Sequence, residues 1–147
     1  MCLALHREDP GVAAVEAEQV RETLALFERD RGRGRAVVAE VGDRLAGYSL
    51  LVPYWSNEQG GEICEVDELY VRAERRGEGL GSALFAAIDG GSFGAFAGVA
   101  LGVAPANARA RRLYERLGFR AVGTTMFRRR YAPAAAGKSS PEEVHAD

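Results

Sequence analysis

Residues 76–82 read Arg76-Gly77-Glu78-Gly79-Leu80-Gly81-Ser82 and join a β-prone run, Glu62-Ile63-Cys64-Glu65-Val66-Asp67-Glu68-Leu69-Tyr70-Val71, to a helical run over residues 80–88. A strand that turns through small residues into a helix aims successive backbone N–H groups, and the positive end of the helix, at one point. A phosphate-bearing ligand fits that point. Glycine at 77, 79 and 81 lets such a ligand approach backbone that a Cβ would hold at a distance. The spacing does not make a dinucleotide fingerprint: GxGxxG counted from Gly77 ends on Ser82, and counted from Gly79 it ends on Leu84. The P-loop lysine is absent as well. Taken alone, the segment also reads as an ordinary loop-to-helix junction.

Upstream, residues 36–41 and 45–52 are β-prone and are separated by Gly42-Asp43-Arg44, which predicts a hairpin. Residues 53–61 (PYWSNEQGG) read as a loop. Before them lies the basic, glycine-broken run over residues 31–35, read as a solvated linker in preference to a nucleic-acid arm. Asp9-Pro10 has the form of an N-cap followed by Pro at N1, and Val20, Leu24 and Phe27 recur at helical spacing, so one or two helices are expected over residues 10–30. Downstream, the helix over 80–88 should stop at Gly90-Gly91, each of which costs about 1 kcal/mol relative to Ala inside a helix. Val99, Leu101 and Val103 alternate with small residues, which predicts a strand with one bulky and one bare face. Ala110, Leu113, Tyr114 and Leu117 form a helical stripe with Asn107 as N-cap and Gly118 as the C′ stop. A final strand or hairpin is expected over residues 119–131. Residues 132–147 read as an appended mobile tail.

The chain has 147 residues, which suits one domain, here read as residues 1–131 plus the tail. Its net charge of -2 gives no global pull toward nucleic acid or acidic membranes. Residues 90–108 are uncharged but broken by glycines, Pro105 and Asn107, whereas a spanning helix needs about 20 mainly apolar residues. Charge at His6-Arg7-Glu8-Asp9 precedes any apolar stretch, so no secretory signal is expected. Cys2 and Cys64 are too few for a disulfide framework or a zinc site, and a cytoplasmic setting follows. The only lysine is Lys138 and the only histidines are His6 and His145. Schiff-base chemistry and Ser-His-Asp, Cys-His or multi-His metal arrangements are therefore not expected. Any acid or base should be a carboxylate, a tyrosine or water.

The strand Asp67-Glu68-Leu69-Tyr70-Val71 followed by Arg76-x-x-Gly79-x-Gly81 resembles the acyl-CoA-binding motif of the GNAT superfamily of N-acetyltransferases. The segment Asn107-Ala108-Arg109-Ala110-Arg111-Arg112-Leu113-Tyr114-Glu115-Arg116-Leu117-Gly118-Phe119 resembles that superfamily's second signature, at the usual distance. The resemblance covers about residues 36–131. It implies an α/β fold whose central mixed, mostly antiparallel sheet carries helices on both faces. The motif strand and the next strand would splay apart to admit the pantetheine arm of acetyl-CoA, which suits the bare face of residues 98–104. On the same implication, Leu69, Tyr70 and Val71 would run beside the pantetheine. Arg76, Gly77, Glu78, Gly79, Leu80, Gly81 and Ser82 would surround the pyrophosphate, with Asn107 and Ala110 touching the cofactor from the second helix.

Acetylating an amine requires a neutral nitrogen to attack a thioester and a proton for the departing thiolate. Tyr114 stands at the position of the superfamily's usual phenol. A phenol of pKa about 10 can reprotonate a thiolate whose free pKa is about 8.5 by analogy with cysteine. Its place on the stripe with Leu113 and Leu117 equally suits a core aromatic. Glu58, Glu62, Glu65, Asp67 and Glu68 lie between Arg44 and Arg72 with no basic residue among them, so a cationic acceptor is expected there. Unbroken alternation puts Glu65 and Asp67 on one face and Glu68 on the other, and a β-bulge would shift that phase. Glu68 or Asp67 is the candidate to position the amine, acting as base through water. Glu65, Asp67, Tyr54 and Trp55 are the candidate substrate-lining residues, the two aromatics by cation–π contact.

The reading is thus a metal-free acetyl-CoA-dependent N-acetyltransferase using a direct ternary complex, with a small-molecule or peptide amine as acceptor. A homodimer is compatible with it, and nucleic acid and membrane are not expected partners. The alternatives are a non-catalytic acyl-CoA sensor, which binds without turnover, and a scaffold, which binds no CoA.

Overall fold

A tight turn at Gly42-Asp43 joins strand β1 (Arg35–Val41) to strand β2 (Arg44–Ser56), and the register closes on Val41 opposite Arg44. β2 then pairs antiparallel with β3 (Gly61–Val71), and β3 pairs in parallel with β4 (Gly98–Leu101). The sheet order is β1-β2-β3-β4, a mixed and mostly antiparallel sheet of the expected class. The computed structural model describes residues 1–9, 14–123, 126, 127 and 129. Residues 132–147 and residues 124, 125, 128, 130 and 131 of the expected final hairpin lie outside the described residues, and the hairpin's described residues form no strand.

Helices cover both faces. On one, α1 (Cys2–Glu8) and α2 (Ala17–Arg29) bring Leu5, Leu26 and Phe27 against Tyr48, Leu50 and Tyr70. On the other, α3 (Leu80–Asp89) and α4 (Ala108–Arg116) pack Phe85, Ile88 and Tyr114 against Leu51, Cys64 and Val66. β2 is buried from Ala46 to Leu51, as a central strand covered on both sides should be. Among the described residues no helix is long and apolar enough to cross a membrane.

Four local expectations are corrected. Asp9 is the C-cap of α1, its backbone N–H bonding the Leu5 carbonyl at 2.8 Å, and not an N-cap. α2 starts instead at Glu16, which forms a capping box with Gln19, while Pro10 lies outside the described residues. Residues 53–56 are strand, not loop: Pro53 pairs with Cys64, Tyr54 with Ile63 and Trp55 with Glu62. β1 pairs with β2 only as far as Arg35 and Leu51, so the later part of β2 is an edge, where a residue lacking an N–H is tolerated. β4 ends at Leu101, short of Val103. Finally, Leu50 pairs with Glu68 and Leu51 with Val66, which leaves Asp67 as a bulge. The bulge breaks the alternation that would have grouped Glu65 with Asp67.

Candidate active site

The β3–β4 ladder stops at Val66 opposite Leu101, while β3 continues to Val71. The pairing ends there, and a cavity of about 580 Å³ opens beside the unpaired end of β3, with Ala104 and Ala106, from the segment after β4, in its lining. Leu69, Tyr70 and Val71 line it from β3, Gly77, Gly79, Leu80, Gly81 and Ser82 from the loop and first turn of α3, and Asn107, Ala110 and Tyr114 from α4. The two sequence motifs, far apart in the chain, thus meet at one space. Glu78 stays out of the lining and pairs with Arg75 at 3.3 Å.

The loop is fixed by backbone conformation. Gly77 and Gly79 have φ of 91° and 83°, in the left-handed region, and Gly79 is the N-cap of α3. A Cβ built on either meets no heavy atom within 4 Å, so the space they leave faces the open cavity. The first turn of α3 contains no acidic side chain, and its leading N–H groups have no intrahelical acceptor. Together with Arg75, Arg76, Arg109, Arg112 and Arg116 in the lining, this makes a positively charged wall suited to a pyrophosphate. Gly81 serves packing as well, because a Cβ there would come within 3.0 Å of the Leu113 side chain.

α4 is capped at both ends as its sequence predicts. Asn107 Oδ1 accepts from the Ala110 N–H at 3.1 Å. At the other end the Gly118 N–H bonds the Glu115 carbonyl at 3.1 Å and the Phe119 N–H bonds the Tyr114 carbonyl at 3.0 Å. This is a Schellman stop, with Gly118 at φ 88°. It clamps Tyr114 between Phe85 and Phe119, with ring centroids 5.9 Å away in each case. Tyr114 is therefore both a packed aromatic and a cavity residue. Burial raises its pKa above the ordinary phenol value, and the negative charge of Asp9 raises it further, so the hydroxyl keeps its proton at neutral pH.

The acidic strand behaves differently from the motif residues. The bulge at Asp67 turns Glu68 toward α1, where its Oε2 accepts from the Tyr48 hydroxyl at 2.6 Å and its Oε1 accepts from His6 Nε2 at 2.8 Å. Burial, then the contact with Glu68, raises the Tyr48 pKa. Glu65, Asp67, Glu68, Tyr54 and Trp55 are all absent from the cavity lining, and Trp55 is 70% exposed at the free end of β2. Sequence reasoning set His6 aside and overlooked Leu5, Glu8 and Asp9, which line the cavity from the end of α1. Glu8 accepts from the Tyr70 hydroxyl at 3.1 Å and pairs with the Arg76 guanidinium, whose hydrogen bond holds the Glu8 carboxyl below the usual range. Arg76 also donates from Nε to the Val71 carbonyl at 2.8 Å and sits 5.5 Å above the Tyr70 ring, so it braces the loop against β3. Asp9 accepts from Asn107 Nδ2 at 3.0 Å. The signal for α1 was weak, because a seven-residue helix is too short to establish a period.

Residues 2–119 match the family model described as Acetyltransferase (GNAT) family. No curated protein matches the chain in sequence. Among solved structures, the chain is similar to a possible acetyltransferase from Clostridium difficile 630, with 21% identity, 89% of this chain and 87% of that one covered, and a TM-score of 0.72. It is also similar to a ribosomal-protein-alanine N-acetyltransferase from Brucella melitensis biovar Abortus 2308, with 22% identity, 88% of each chain covered and a TM-score of 0.65. A third is the aminoglycoside N-acetyltransferase AAC(6')-Iy in complex with CoA, with 17% identity, 78% and 87% covered and a TM-score of 0.63. At these identities the likenesses speak for the fold. Since the family match takes in all the helices and strands described above, the chain belongs to the GNAT acetyltransferase family.

Proposed function

We propose that this protein moves an acetyl group from acetyl-CoA to a primary amine, with both substrates bound at once. Family membership supports acyl transfer from CoA as the class of chemistry. The observation that carries the finer reading is that the amide-rich turn at residues 77–82 and the Tyr114 phenol open on the same cavity. The residues fit acetyl-CoA: the turn and its arginines match a pyrophosphate, and the β3 backbone beyond Val66, without a β4 partner, matches the amides of a pantetheine.

When bound, acetyl-CoA supplies an activated acetyl thioester. The turn and α3 amides hold the phosphates, and the edge of β3 at Leu69 and Val71 orients the chain that follows. Tyr114 keeps a proton at the cavity wall and delivers it to the sulfur as the carbon–sulfur bond breaks and the nitrogen–carbon bond forms. Water takes the first proton from the incoming ammonium, and the proton shed by the acylated nitrogen returns through water to the phenolate. The products are an N-acetylated amine and the free thiol of CoA. Glu68, with each oxygen already accepting a hydrogen bond, anchors α1 on the sheet and is not assigned the base.

The test is thiol release from acetyl-CoA with a panel of amines. Amine-dependent release is the expected result. Acetyl-CoA binding without release on any amine would instead identify a non-catalytic acyl-CoA sensor.

A further inference from the structure

The acceptor nitrogen needs an anionic partner near the reacting end of the cavity, and the acidic strand does not provide one. Among the described residues, the carboxylates in the lining are those of Glu8 and Asp9. Glu8 is already satisfied by Arg76 and the Tyr70 hydroxyl. Asp9 accepts one hydrogen bond, from the neutral amide of Asn107 to Oδ2, and no basic nitrogen of the described residues lies within 4.0 Å of it. Among the described residues its charge is therefore not compensated by an ion pair. It also lies close enough to Tyr114 for that charge to hold the phenol proton more tightly. The rest of the charged lining is arginine, which suits phosphates and repels an ammonium.

We propose that Asp9 is the specificity-determining residue that draws a cationic amine into the cavity and holds its nitrogen beside Tyr114. This inference rests on the acetyltransferase reading above and assigns its acceptor side: an amine that arrives protonated, gripped by one carboxylate whose own position is fixed by Asn107. Asn107 does two jobs, capping α4 with Oδ1 and orienting Asp9 with Nδ2. The amine would therefore be registered to the helix that carries Tyr114.

Asp9→Asn is the suitable probe, because the substituted amide can still accept from Asn107 while the charge is lost. The protein, loaded with unreactive CoA, is titrated calorimetrically with spermidine, kanamycin and a short peptide with an N-terminal alanine. At least one amine is expected to bind the wild type, and Asp9→Asn to weaken that binding by about tenfold, the usual scale of a charged hydrogen bond. CoA affinity should stay within twofold in the same calorimeter. Asp43→Asn, in the β1–β2 turn, should leave both affinities unchanged. Equal amine affinity in wild type and Asp9→Asn, or no amine binding by wild type that binds CoA normally, would overturn the role of Asp9 alone. Tighter CoA binding by Asp9→Asn with amine affinity unchanged would also overturn it, as the sign of a carboxylate that merely opposes the phosphates. Failure of the wild type to bind CoA would instead bring down the acetyltransferase reading itself.

Discussion

The two walls of the cavity are built from different parts of the peptide. The turn at residues 77–82 presents backbone: glycines in the left-handed region and the open amides of α3. The α1 wall presents side chains, Glu8 and Asp9, held by hydrogen bonds to residues 62, 68 and 98 positions away in the chain. A backbone wall keeps its chemistry whatever residues surround it, provided nothing bulky intrudes, and so suits a ligand common to a whole family. A side-chain wall changes its ligand with one substitution. On the function and the Asp9 role proposed above, cofactor recognition and acceptor choice are separable, and each can be broken without the other.

The largest effect is expected where bulk and charge enter the backbone wall. Gly79→Asp places a side chain at φ 83° and a negative charge in the anion site, and should weaken acetyl-CoA binding by at least about 100-fold, measured by calorimetry. Tyr114→Phe leaves both walls intact and removes only the phenol proton. It should lower kcat by about 100-fold with acetyl-CoA affinity within twofold, on the usual scale of general acid catalysis. Unchanged turnover would leave Tyr114 as a packing residue.

The smallest effect is expected from Glu8→Gln, on the side-chain wall. The Glu8 carboxyl is held below its ordinary range in the folded protein. Its contribution to stability is therefore present above the ordinary glutamate pKa of about 4.3 and is lost as the pH falls through the lowered folded value. Thermal unfolding followed from neutral to acid pH should show Glu8→Gln slightly less stable than wild type at neutral pH, the two converging as the pH falls through the lowered Glu8 range, so that the acid limb of the variant is shallower. An unchanged acid limb would show that the Arg76 contact adds nothing in solution.

The same division explains which features could be read from the sequence. The glycine turn, the Asn107 cap and the Gly118 stop are determined within a few residues, and each lies where its local pattern puts it. The bulge at Asp67 depends on how β3 registers against β2, which no local pattern encodes, and beyond it Glu68 bonds Tyr48 and His6. Asp9-Pro10 has the form of a helix start, yet Asp9 closes α1 from its C-terminal end, and its partner Asn107 is 98 positions away. Pro53 reads as a strand breaker, but the partner strand on that side has already ended. The fold and the local turn and caps were thus legible, whereas the α1 residues that line the cavity were not, because they meet its other wall only through tertiary contacts.

Calorimetric titration of the wild-type protein with acetyl-CoA decides whether the turn at residues 77–82 is an anion site. Saturable binding of one acetyl-CoA per chain is expected. A folded wild-type protein that takes up no acetyl-CoA would contradict that expectation, because the turn at residues 77–82 would then be only a junction between a strand and a helix.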